Sequence, residues 1–142
     1  MLEEVVSLYE AYLEEFRRLE RERKPFEGAF GSGGGPRDYP CHEKFAQDLD
    51  RLLKDLEVRE ITSGQAGQVL RYICCTAPVR WESESAVYWM LLAAQGLTVG
   101  LIQRLDAEDA RTLYGEYRQL YPRRRRLPVQ GRVLSALKDR AK

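Results

Sequence analysis

Apolar residues recur along the chain at spacings of three and four, and no stretch alternates in twos long enough to predict a strand. Over residues 2–23, Leu2, Val5, Val6, Tyr9, Tyr12, Leu13, Phe16 and Leu19 mark one face of a helix. Glu14 with Arg18, and Glu20 with Lys24, stand four apart in the acid-first order that supports it, and Pro25 ends it. Pro40 suits the first turn of a second helix, with Phe45, Leu49, Leu52, Leu53 and Leu56 as its stripe. Thr62 and Gln65 match a capping box, with Ile61 and Ala66 placed for the accompanying apolar staple. The third helix then carries Ala66, Val69, Leu70, Ile73 and Cys74 inward and is expected to stop at Pro78. Ser83 or Ser85 is placed to cap a fourth, running to about Gln95, with a break at Gly96 and a resumption over 97–105. Asp106, with Asp109 three residues on, caps a helix whose face is Leu113, Tyr117 and Leu120 and which Pro122 closes. Pro128 opens the last one, with Val129, Val133, Leu134 and Leu137 apolar.

This pattern predicts an all-α fold, a single-domain compact helical bundle of six to seven helices spanning 1–142. Its centre is expected at the charge-free run 85–103. That run is long enough to cross a bilayer. However, Gln95, Gly96 and Thr98 sit at its middle, and acids flank both ends: Glu82 and Glu84 before, Asp106, Glu108 and Asp109 after. It therefore reads as a buried central helix, with Val87, Tyr88, Met90, Leu91, Leu92, Leu97, Leu101 and Ile102 in the core and no membrane as partner. Residues 24–39 are too rich in glycine for a regular element and read as a flexible connector, with Phe26, Phe30 and Tyr39 available to pin it. The first helix also offers a seam, Leu2 to Leu19, that permits a coiled-coil dimer, but three aromatics in six seam positions fit a globular core better.

Composition agrees with a soluble globular chain: 44% of residues are hydrophobic and 32% charged, too apolar for wholesale disorder. The net charge of +1 hides a division. Residues 111–142 hold ten Lys/Arg against two acids, a net +8, and the first 110 residues carry the balancing −7. The densest part is Arg123-Arg124-Arg125-Arg126, between two prolines and one turn after Arg118. Four guanidiniums there cannot all be buried, and their planar forks suit carboxylates and phosphates. The expected contact surface is Arg118, Tyr121, Arg123, Arg124, Arg125 and Arg126. An acidic protein is the favoured partner. Nucleic acid is the alternative, with Tyr114, Tyr117 and Tyr121 as rings for base stacking. The plain reading is a solvated loop, or one neutralised by acids of the first helix.

Other chemistry is sparser. The glycines at 28 and 33 have phosphate-loop spacing, but the lysine and hydroxyl that should follow are missing, and Pro36 spoils the dinucleotide pattern, so no cofactor is expected. Three cysteines and one histidine give no zinc-ligand spacing, so no metal is expected. Cys41 falls in the first turn of a helix, where amide dipoles can acidify a thiol, and Asp38, Cys41 and His42 form a candidate reactive cluster. This is a third reading, a thiol-based sensor or small enzyme. No catalytic motif stands out, and a non-enzymatic interaction or regulatory protein is the favoured function. An odd cysteine count and an N-terminus without signal-peptide features point to a cytoplasmic protein, and small size and simplicity to a bacterial one.

Overall fold

The structure is a computed structural model, and it describes residues 1–22 and 39–142. The expected connector therefore lies, apart from Tyr39, outside the described residues. Those residues form an all-α bundle. Its elements are α1 (Leu2–Glu22), α2 (Pro40–Val58), α3 (Ser63–Arg71) with a π-turn (Tyr72–Thr76) leading into α4 (Ala77–Arg80), then α5 (Ser85–Ala94) with a 3-10 turn (Gln95–Thr98) leading into α6 (Val99–Ile102), α7 (Ala107–Leu120) and α8 (Pro128–Arg140). Because α3–α4 and α5–α6 each run on without a gap, the bundle has six helical rods.

The local signals that open helices act as expected at four places. The Thr62 side chain accepts from the Gln65 amide at 3.0 Å, and Gln65 Oε1 accepts from the Thr62 amide at 2.9 Å. Asp106 Oδ1 accepts from the Asp109 amide at 2.8 Å. Pro40 and Pro128 sit in the first turns of α2 and α8. Two expectations change. No side chain caps α5, whose preceding residue is Glu84 rather than a serine. On α1, Arg18 turns from Glu14 to Glu15 and Glu22, at 2.5 and 2.9 Å.

Pro78 does not stop its helix. The chain widens into the π-turn and continues to Arg80. Proline has no N–H for the Cys74 carbonyl four residues back. That carbonyl instead faces Gln95 Nε2 and the Tyr121 hydroxyl, each 3.5 Å away. Tertiary partners replace the missing donor, so the helix survives its proline.

The core has two parts. An aromatic layer joins α1, α2 and the π-turn. Tyr9 is fully buried, with Phe45 edge-on at 4.9 Å, Tyr72 at 5.3 Å and Trp81 stacked at 5.7 Å. Tyr12 stacks on Phe45 at 4.3 Å. Leucines and valines of α2, α3, α5, α6 and α8 fill the other part, and the α5–α6 rod packs against α2, α4 and α8. This rod is less enclosed than its composition predicts. It buries Val87, Leu91, Leu92, Leu101 and Ile102, but Tyr88, Met90 and Leu97 are half-buried, and Trp89 is 59% exposed. By length and composition Ser85–Ile102 could span a bilayer, and less than half of it is buried in the bundle.

Candidate functional site: the arginine turn

The polypeptide leaving α7 meets Pro122, whose ring cannot continue the helix. Arg123–Arg125 then make one 3-10 turn, closed by the Arg125 amide donating to the Pro122 carbonyl at 2.8 Å. The turn is fastened from below by a buried polar network centred on Gln95. Gln95 Nε2 donates to the Tyr121 hydroxyl at 3.0 Å and points at the Cys74 carbonyl. Gln95 Oε1 accepts from the Tyr117 hydroxyl at 2.5 Å and from Gln130 Nε2 at 3.2 Å. Gln130 Oε1 in turn accepts from the Leu127 amide at 2.9 Å, which fixes the start of α8. Gln95 and Gln130 are fully buried, and every hydrogen-bonding position of the Gln95 amide is used. The network thus pins both ends of the segment between α7 and α8, so its side chains project from a rigid base.

The six residues expected in the contact surface divide. Arg118, Arg123, Arg124 and Arg125 are exposed and, among the described residues, have no ion pair. Arg126 is half-buried, and its Nε and Nη2 donate to the Tyr121 carbonyl at 3.3 and 3.2 Å. It satisfies an end carbonyl of α7 rather than facing a partner. Tyr121 corrects the sequence reading. It is 7% exposed, its hydroxyl belongs to the network, and it offers no ring at the surface. Tyr117 is fully buried too, and only Tyr114 is half-exposed.

Intramolecular neutralisation by the first helix does not occur among the described residues. Four acids of α1 pair elsewhere: Glu4 with Arg59 at 3.1 Å, Glu10 with Arg80 at 2.6 Å, and Glu15 and Glu22 with Arg18. Of the C-terminal cations, Arg111 and Arg140 donate to backbone carbonyls of Ala141 and Leu105, and Lys142 pairs with Asp139. The charge left without a partner collects at the arginine turn and Arg118, with Arg132 and Lys138 on α8.

The second candidate cluster is not assembled as an acidified thiol. Asp38 lies outside the described residues. Cys41 is buried, and burial first and the Glu15 carboxylate second push its thiol above the ordinary 9.0. The helix-dipole effect expected there loses to desolvation. His42 is buried among Tyr12, Phe16 and Tyr39, with its Nδ1 hydrogen-bonded to the Tyr12 hydroxyl at 2.5 Å. Among the described residues no three metal-ligating side chains gather.

The same burial predicts alkaline lability. Desolvation raises the Tyr9, Tyr12, Tyr117 and Tyr121 hydroxyls and the Cys74 thiol, and pushes Tyr72 and Cys75 up to about 12. Each group keeps its proton in the folded protein at a pH where the unfolded chain has released it. Stability is therefore intact below the ordinary thiol value of 9.0 and falls as pH rises from there toward 12. The melting temperature, followed across that window, is expected to drop steadily; a flat profile contradicts the assigned burial.

Comparison of the chain with family models, characterised proteins and solved structures gives no significant match.

Proposed function

We propose that this protein is a non-enzymatic binding module that engages an acidic protein partner through Arg118 and the Arg123–Arg125 turn. The observation that carries this reading is the contrast between the two parts of the chain. Up to residue 110, the described bases pair with acids, apart from Arg21 and an Arg104 that donates to the Glu57 carbonyl. At the arginine turn, exposed guanidiniums have no such partner among the described residues, yet the backbone beneath them is tied into the core. Holding like charges together opposes folding, and an external anion relieves that cost. Carboxylates fit better than nucleic acid because the rings that would stack bases, Tyr117 and Tyr121, face inward. The thiols are unpaired, which suits a reducing cytoplasm.

The test is fluorescence anisotropy with labelled polyglutamate, single-stranded RNA and duplex DNA, each titrated with protein at low and moderate salt. Polyglutamate is expected to bind at low salt and to weaken as salt screens the contact. Tighter binding of RNA or DNA than of polyglutamate overturns the assignment in favour of a phosphate backbone. Absence of binding to all three removes the arginine turn as a contact surface.

A further inference from the structure

Beside the arginine turn lies a cleft of about 250 Å³ between α4, α5 and the α7–α8 junction. Its apolar lining is Pro78, Val79, Tyr88, Leu92 and Leu120. Four large apolar side chains are exposed among the described residues: Val58, Val79, Trp89 and Leu120. Two of them, Val79 at 53% and Leu120 at 40% exposure, stand on the rim of this one cleft. A third, Trp89, has its ring 6.4 Å from that of Tyr88 in the wall. Scattered exposed apolar residues need no explanation, but a cluster at a concavity does. Glu82 and Arg125, the end of the arginine turn, both line the cleft. Tyr121 and Gln130, members of the buried network, also line it, which ties this part of its wall to the core.

We propose that this cleft receives one aliphatic or aromatic side chain of a short acidic segment, whose neighbouring carboxylates lie on Arg123, Arg124 and Arg125. The inference rests on the reading that the arginine turn binds an acidic protein, and names the kind of segment. Size and charge select this occupant. A cavity of about 150 Å³ already holds a benzene ring, so this one fits a single side chain. It falls below the roughly 300–1,000 Å³ typical of cofactor and small-ligand sites. Carboxylates are drawn to Arg125 and repelled by Glu82, which biases the segment's acids toward the arginine turn. A second copy of this chain docking face to face would bring two arginine turns together and is disfavoured. A nucleic acid carries no aliphatic anchor for the Val79–Leu120 rim.

The test uses three fluorescein-labelled probes: an acidic peptide with one central leucine, the same peptide with serine in its place, and polyglutamate. The leucine peptide is expected to bind at least about tenfold more tightly than the other two. The double variant Val79→Ser, Leu120→Ser should abolish that preference and leave polyglutamate binding unchanged. Both rim residues are exposed, so the variant is expected to fold; its melting curve and an independent Leu120→Glu variant check this. Equal binding of all three probes overturns the cleft and leaves the arginine turn standing. Loss of polyglutamate binding in the rim variant likewise overturns the division of labour. Failure of every probe to bind wild-type protein overturns both readings.

Discussion

Replacing Gln95 with leucine is expected to lower the unfolding free energy by about 3–5 kcal/mol. The volume hardly changes, so the loss comes from what the amide no longer satisfies. Among the described residues, Tyr117 loses the one acceptor of its hydroxyl, Gln130 Nε2 loses its acceptor, and the Cys74 carbonyl beside Pro78 loses one of two side-chain donors. Each buried polar group left unpaired costs about 1–3 kcal/mol, and water cannot reach residues this enclosed. In urea the midpoint should fall by roughly 2 M with little change in slope. Tyr117→Phe in the same protein removes one orphaned hydroxyl, so the double variant should lose less than the sum of the singles, by at least about 1 kcal/mol. Additive losses would mean that the Gln95–Tyr117 contact contributes little. Because the network anchors the start of α8 through Gln130 and Leu127, the Gln95 variant should also loosen the arginine turn.

Serine at Arg123, Arg124 and Arg125 together should weaken binding of polyglutamate about thirty-fold or more at low salt. Folding should be unaffected, since none of the three has an acid partner among the described residues and all are exposed. Relief of like-charge repulsion makes a small gain in stability the expected sign. Arg126→Ala should behave in the opposite way. Its guanidinium sits on the Tyr121 carbonyl, so its loss should cost about 1 kcal/mol of stability and little affinity. A triple variant that unfolds, or an Arg126 variant that abolishes binding without destabilising, would reverse the assigned roles.

The helical architecture was legible because its signals are local. Thr62 with Gln65, Asp106 with Asp109, and prolines 40, 122 and 128 set boundaries through bonds spanning three residues or a missing N–H. Pro78 misled because the rule for proline assumes that nothing distant serves the freed carbonyl. Gln95 and Tyr121 lie far along the chain yet do so. Tyr121 misled for a related reason. Basic neighbours and a proline mark a surface turn, but the ring one position earlier completes the inward face of Leu113 and Tyr117. Gln95 at the centre of the apolar run was the available signal for the network, since a lone amide in a core helix needs partners. The arginine turn was readable from charge alone. The cleft was not, because Val79, Tyr88 and Leu120 come from three different helices and no spacing relates them.

The most direct measurement follows the arginine side chains themselves. Nitrogen-15 labelled protein, titrated with polyglutamate at low salt, reports each Nε–Hε resonance separately. Arg118, Arg123, Arg124 and Arg125 are expected to move together and saturably. Arg71, held by Glu116 at 2.8 Å, and Arg18, held by Glu15 and Glu22, should stay in place. Movement centred on those paired arginines, or none at the 123–125 turn, would contradict the assigned contact surface.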